Sequence, residues 1–463
     1  MHALVHRALM SAMVPLRCHY ARRMRDRENW SLERIRDYQE RKLRKVIAYC
    51  WQHVPLYQEK WKGVIDGPED IRSIADLQIL PLLTKQEVRE QRDAMRSRAP
   101  WVLGNEARTG GSTGEPMIFQ LSRFDEELSW AQMYVGWFRA GYRIGDPILA
   151  IGGESIGVGL GDRRSWKDWV LNKHASSSSN LTRERVKALV RSPHFHQAKL
   201  MFGYPNGIRE LCEHLAALDA RPRSLVGVIC TAEVMLPEVR QRISEVLGIS
   251  MVLDQYGLND GGLHACEGPE QDGLHLSFHR GVLEILDTEN RQINALGEPG
   301  RAVATTLTNF VTPFVRYETG DHVHWQSFEP SASGITWPRL GPIDGRTGDL
   351  IYMTNGRTIA MPGLTLVMRW MEGLARYQLI QTGPDAVTAR LLKGPGFAMS
   401  EEQVIGFLRE RIAPEIHWTI EWGAPSLTRN GKLLVLRNDW LRNQGLTRPP
   451  AAVADTMTDG TNS

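Results

Sequence analysis

Between residues 34 and 54, apolar side chains recur at Leu43, Val46, Ile47, Cys50, Trp51 and Val54. That spacing predicts a helix with one buried stripe, ended by Pro55. After the apolar run Leu77–Leu83, Thr84 with Glu87 three positions on reads as a capping box opening another helix. From about 120 to 260 the pattern alternates. Pro147–Gly152, Leu225–Cys230 and Met251–Leu253 read as buried strands. Pro205–Ala220, with Ile208, Leu211, Cys212, Leu215 and Leu218 on one face, and Pro237–Leu247, with proline near its first turn, read as helices. Ser176–Ser179 reads as a loop tip. Such alternation predicts an α/β domain of mixed, largely parallel sheets in layers with helices. Past 281 strands crowd together at Val282–Leu286, Val303–Thr308, Phe314–Tyr317 and Val323–Trp325, predicting an antiparallel β subdomain. Beyond Asp349 the strands Tyr377–Gln381, Val387–Leu392 and Trp418–Trp422, with a helix capped by Ser400 and Gln403, make a small α+β module. The chain divides into a body at 1–345 (helical over 1–95), the module at 346–440 and a disordered tail at 441–463, rich in small and polar residues.

A length of 463 residues fits two or three domains, and 42% hydrophobic with 24% charged residues is an ordinary globular composition. A net charge of +3 argues against nucleic acid as the main partner. Five scattered cysteines, Cys18, Cys50, Cys212, Cys230 and Cys266, fit a reducing, cytoplasmic setting rather than a disulfide framework. No apolar run is long enough to span a bilayer. Met1–Met24 has no acidic residue but carries Arg7, Arg17, Arg22 and Arg23, and lacks the apolar stretch and cleavage site of a secretory signal. Two readings stay open for it: a basic amphipathic segment resting on a membrane surface, or a helix packed on its own protein.

The most informative segment is Thr109, Gly110, Gly111, Ser112, Thr113 and Gly114, six small residues in a row before Glu115-Pro116. Backbone N–H groups and hydroxyls of such a run can close around a polyanion. The GxxxxGK[ST] spacing of a P-loop is absent. A second cluster, His264, Cys266, His275 and His279, offers part of a zinc site; ordinary loop histidines and a buried thiol are the alternative.

Four later segments join the small-residue loop: Asp254–Gly262 (DQYGLNDGG), Glu318–Val323 (ETGDHV), Gly345–Ile351 (GRTGDLI) and Leu427–Leu434 (LTRNGKLL). In order and spacing these resemble the signature motifs of adenylate-forming enzymes, among them acyl-CoA synthetases, peptide-synthetase adenylation domains and luciferases. Leu43–Tyr57, Asp70-Ile71 and Leu80–Lys85 (LPLLTK) are similar to the N-terminal region of phenylacetate–CoA ligases and CapK-like proteins. The resemblance covers roughly residues 30–440, and the five motifs in sequence make it specific.

The resemblance implies a large body with a mobile lid and a two-step reaction. A carboxylic acid is joined to ATP as an acyl-adenylate, with Mg²⁺, and then passed to a thiol, that of coenzyme A. It implies these roles. Thr109–Gly114 would hold the β- and γ-phosphates. Ala232 and Glu233 would line the adenine pocket. Asp254, Gln255, Tyr256 and Gly257 would flank the nucleotide, with Tyr256 at the adenine. Asp260 would hold Mg²⁺, Asp321 the ribose hydroxyls, and Arg346 the ribose and α-phosphate. Lys432 would be catalytic, acting electrostatically on the carboxylate and α-phosphate. Gly348 and Asp349 would form the hinge. Gly152, Gly153, Phe202, Gly203, Tyr204 and Pro205 would line the acyl pocket. Glu115, Asp260, Asn259 and Gly348 depart from the family's usual Lys, Glu, Thr and Asp. The acceptor is left open between coenzyme A and a sugar or carrier protein, as in the CapK-like branch. A non-catalytic nucleotide-binding protein is a third reading, and a homodimer is compatible with all of them.

Overall fold

The apolar stripe at 34–54 becomes the helix Leu32–His53, whose cap, Ser31, accepts the Arg34 N–H at 3.3 Å. Leu43, Val46, Ile47 and Cys50 are fully buried. Pro55 ends it and, with φ already helical, opens the short helix Pro55–Lys60. The computed structural model describes residues 2–108, 117–153, 164–178, 181–343, 345–346, 350–354, 358–360, 364, 367–368, 370–427 and 433–444. The capping box forms as expected: Glu87 N–H donates to Thr84 Oγ1 at 3.2 Å, and Thr84 N–H to Glu87 Oε2 at 2.8 Å.

The basic N-terminal segment forms two helices, His2–Met13 and Pro15–Arg25, and the second lies on the helix Arg123–Arg139. Arg17 pairs with Glu127 at 3.0 Å and sits over the Trp130 ring at 4.9 Å. This segment is therefore packed on its own protein. Among the described residues no helix is long and apolar enough to cross a membrane.

The alternating region builds a nine-stranded sheet. Its parallel half runs, in spatial order, Lys173–Ser177, Ile148–Gly152, Leu200–Gly203, Gly227–Thr231 and Val252–Leu258. Leu263–Glu267, Leu274–Leu276, Arg339–Leu340 and Trp325–Ser327 continue it antiparallel. The helices Pro205–Ala217 and Pro237–Leu247 cover one face, and Arg123–Arg139 the other. Ser176 and Ser177, expected in a loop tip, lie in the edge strand, because pairing to Ile151 and Gly152 satisfies their backbone. At Gly203 two backbones meet closely: a Cβ there would stand 1.8 Å from the Ile151 oxygen, which also accepts the Tyr204 N–H at 3.0 Å. Gly203→Ala must push the strands apart, at a cost of about 3 kcal/mol. An unchanged urea midpoint for that variant would contradict this packing.

A second sheet, antiparallel, contains Gly281–Leu286, Gly300–Thr306, Tyr317–Val323 and Gly345–Arg346. The strand expected at Phe314–Tyr317 is instead a loop, because Arg316 takes a left-handed φ of 51°. The next strand starts at Tyr317 and carries Thr319-Gly320-Asp321 through an irregular register, with Gly320 at φ 82°. Leu83 bonds to both sides of Tyr317, donating to Arg316 O at 2.8 Å and accepting from Glu318 N at 2.9 Å.

In the C-terminal module Leu374–Gly383 and Ala386–Lys393 form a hairpin, flanked in parallel by Leu436–Asn438 and His417–Trp422, with the helix Glu401–Arg411 against it. Its apolar residues Leu374, Tyr377 and Leu379 share one core cluster with Val239 and Ile243 of the body. The short helix Asp439–Asn443, with Leu441 buried, extends the ordered module past residue 440 into the segment expected to be tail.

Candidate active site

In an open parallel sheet the crevice beyond the carboxyl ends of the strands is the usual binding position. Register lines up the motif residues along that edge: Ile151 lies opposite Gly203, Gly203 opposite Cys230, and Thr231 opposite Gln255. Tyr204 and Ala232 follow directly on their strands, Gly152 is the last residue of its own, and Tyr256, next to Gln255, lies within Val252–Leu258. Ala232 adopts φ 67°, an αL conformation unusual for a residue with a Cβ, at the point where the chain leaves its strand for the crevice.

Two hydrogen bonds tie the second sheet to this edge. Tyr256 donates its hydroxyl to Asp321 Oδ2 at 2.8 Å, and Tyr317 donates to Asp260 Oδ2 at 3.2 Å. The four side chains thus bring the Tyr-Gly and Thr-Gly-Asp motifs into one site. Asp321 is opposite Arg346 across the antiparallel sheet, so the two expected ribose contacts are neighbours in backbone register. Asp260 is buried, and its carboxylate is a hard oxygen donor of the kind Mg²⁺ takes. Asn259 is held from the helix Arg123–Arg139 by Ser129, whose hydroxyl donates to its Oδ1 at 2.6 Å. Asp254 is set by its own backbone, whose N–H donates to Glu267 Oε2 at 2.7 Å while Arg240 clamps that carboxylate.

Tyr317 carried no weight in the sequence reading, although it immediately precedes the Glu-Thr-Gly-Asp motif. Its hydroxyl lies 3.8 Å from Met117 Sδ, just after the small-residue run. The strands Asn105–Arg108 and Ile118–Leu121 pair around that run, with Arg108 opposite Ile118. Thr109–Gly114, the Arg346 side chain, Gly348, Asp349 and Lys432 lie outside the described residues.

Glu233 faces the C-terminal module as well as the body. Its Oε2 accepts from the Asn206 N–H at 3.3 Å and from Asn206 Nδ2 at 2.9 Å; its Oε1 accepts from the Leu433 N–H at 2.7 Å. Arg376 of the module donates to Asn206 O and lies 3.8 Å from Glu210. Burial, with help from Arg209, pulls Arg376 down to about 10. No motif marks Arg376 in the sequence. Of the expected acyl-pocket residues, Phe202 packs in the core with its ring 5.0 Å from Trp137, and Tyr204 is fully buried.

The proposed zinc cluster does not assemble: among the described residues no three His, Cys, Asp or Glu side chains are placed to share a metal. Arg139 Nη1 donates to Cys266 O at 2.7 Å, and its charge adds to burial in pulling His264 and His275 down to about 3. Burial also pushes the Cys266 thiol up to about 12, away from the thiolate a metal needs.

No family profile matches the chain. It is 24% identical over 406 residues to the phenylacetate–coenzyme A ligase of Thermus thermophilus, covering 83% of this chain and 90% of that protein. It is 27% identical over 333 residues to the Escherichia coli phenylacetate–coenzyme A ligase (70% and 74% covered) and 22% over 330 residues to protein CapK of Staphylococcus aureus (69% and 70%). Among solved structures, 2-hydroxyisobutyryl-CoA ligase in its postadenylation state superposes with a TM-score of 0.69 at 20% identity, covering 91% of this chain and 93% of that one. The same ligase in its thioesterification state scores 0.56.

Proposed function

We propose that this relative of the phenylacetate–CoA ligases and CapK, which has the fold of the adenylate-forming CoA ligases, is an ATP-dependent, AMP-forming acid–thiol ligase. The observation that carries the reading is the Tyr256–Asp321 contact at 2.8 Å, which joins an adenine-type aromatic to a ribose-type carboxylate at the sheet edge. A ribose diol can donate both hydroxyls to a carboxylate such as Asp321. The acid's oxygen attacks the α-phosphorus, the bond to the β-phosphate oxygen breaks, and pyrophosphate leaves. A thiol then attacks the acyl carbon, AMP departs, and the thiol proton passes to solvent. Both steps bring anions together, so their cost is mainly orientation and charge. When bound at Asp260, Mg²⁺ would offset phosphate charge. Tyr317 holds that carboxylate from behind, and Lys432 would supply the ammonium group.

The body at 1–345 and the lid at 346–440 are the units that reading requires, with the hinge at Gly348 and Asp349. The acceptor we favour is coenzyme A; the similarity to CapK supports a non-CoA acceptor as the second reading. The test is acid-dependent exchange of labelled pyrophosphate into ATP across a panel of carboxylic acids, followed by addition of coenzyme A. Exchange with thioester formation is expected. Exchange without thioester favours the second acceptor, and no exchange with any acid overturns the activity.

A further inference from the structure

We propose that Glu233 is a positioning residue that latches the lid, and with it the segment bearing Lys432, in the arrangement used for adenylation. This rests on the reading above and assigns it a residue of its own. One carboxylate spans the interface. Oε2 is fixed in the body by two donors of Asn206, the backbone N–H and Nδ2, and Oε1 receives the Leu433 N–H from the lid. Leu433 is the residue after Lys432, so the bond acts one peptide from the proposed catalytic ammonium. Asn206 is in the first turn of the helix Pro205–Ala217, whose free first-turn N–H groups and dipole favour a carboxylate there. Arg376 reaches from the lid to the Asn206 carbonyl, closing the contact from the other side.

The latch is specific to one lid position. A backbone N–H at 2.7 Å cannot follow a rotating lid, so the Glu233–Leu433 bond must break before the lid takes up a thioester-forming arrangement. Hydrogen bonds to a charged group are the strong ones, and this one spans an interface that must open and close. Glu233 therefore favours the first half-reaction and opposes the second.

Two measurements on the full-length chain decide this. The first needs no turnover: amide hydrogen exchange at Leu433 in the wild type, Glu233→Ala and Glu233→Gln. Exchange there is expected to be at least about tenfold faster in Glu233→Ala, with Leu374–Gly383 unchanged. Glu233→Gln, which keeps an acceptor, falls between. Equal protection at Leu433 in all three proteins overturns the latch. The second measures the half-reactions separately. Pyrophosphate exchange falls roughly tenfold to a hundredfold in Glu233→Ala and less in Glu233→Gln, while thioester formation from a supplied acyl-adenylate is retained or faster. Both half-reactions falling by one factor, or adenylation unchanged, overturns the positioning role. A wild-type chain that exchanges no pyrophosphate sinks the ligase reading instead, and the amide measurement still decides the latch.

Discussion

Replacing Lys432 by alanine is expected to lower acid-dependent pyrophosphate exchange by about a hundredfold to a thousandfold, the range for removing one preorganised charge stabiliser from a transition state. The physical reason is the charge count. A carboxylate approaches a triphosphate, and negative charge accumulates on the α-phosphoryl oxygens as pyrophosphate departs. On the proposed placement, Glu115 would stand where the resemblance expects a lysine, which would leave the body one cation fewer at the phosphates. That places more of the compensation on an ammonium brought by the lid. The loss should appear in kcat rather than in nucleotide affinity, because the interaction strengthens as charge develops. Thermal unfolding should be unchanged. Full exchange activity in Lys432→Ala, or an equal loss of stability, would refute the assignment.

The second large effect is on stability in acid. His264, His275 and His279 are all within a few percent of complete burial. Burial lowers His264, helped by Arg139 and Arg280, and burial lowers His275, helped by Arg139 and Arg339; both reach about 3. Burial, with Arg27 nearby, sends His279 well below its ordinary value. In the unfolded chain each titrates near 6.5. Below that pH the unfolded state binds protons the folded state refuses, so stability is fully present above about 6.5 and falls as pH drops toward about 3. At about pH 5 the loss is about 2 kcal/mol for each of His264 and His275, with His279 acting in the same direction. Urea midpoints near neutral pH and at about pH 5 measure it, and a His264→Gln variant should show a shallower slope. Equal stability at the two pH values would mean that these rings are protonated or exposed in solution.

The same histidines show where reading the sequence stopped. His264-x-Cys266 with a later His offers metal-like chemistry on paper, and cross-strand pairing does set Cys266 opposite His275. What sets the chemistry of these rings is burial, helped by Arg139, more than a hundred residues away in sequence and brought in by the helix Arg123–Arg139. Nothing local to the cluster records that approach. Glu233 is similar. Its motif, Thr231-Ala232-Glu233, was legible after a buried strand, but its hydrogen bond to Leu433 joins residues 200 apart and depends on where the lid docks.

The local rules carried further. The sequence alone determined the helix Leu32–His53, the capping boxes at Thr84 and Ser400, the alternation that makes a parallel sheet, and the order of the motifs along the chain. Those features depend on side-chain period, on caps within three residues and on strand polarity, all properties of short segments. Only the tertiary structure decided that Arg316 turns left-handed and shifts the strand to Tyr317, that Tyr317 and Tyr256 reach across to Asp260 and Asp321, and that Ser176 and Ser177 pair at an edge. Apart from the φ of Arg316, each of these is a hydrogen bond between segments far apart in the chain. Its partner is chosen by how whole layers pack, which no window of sequence contains.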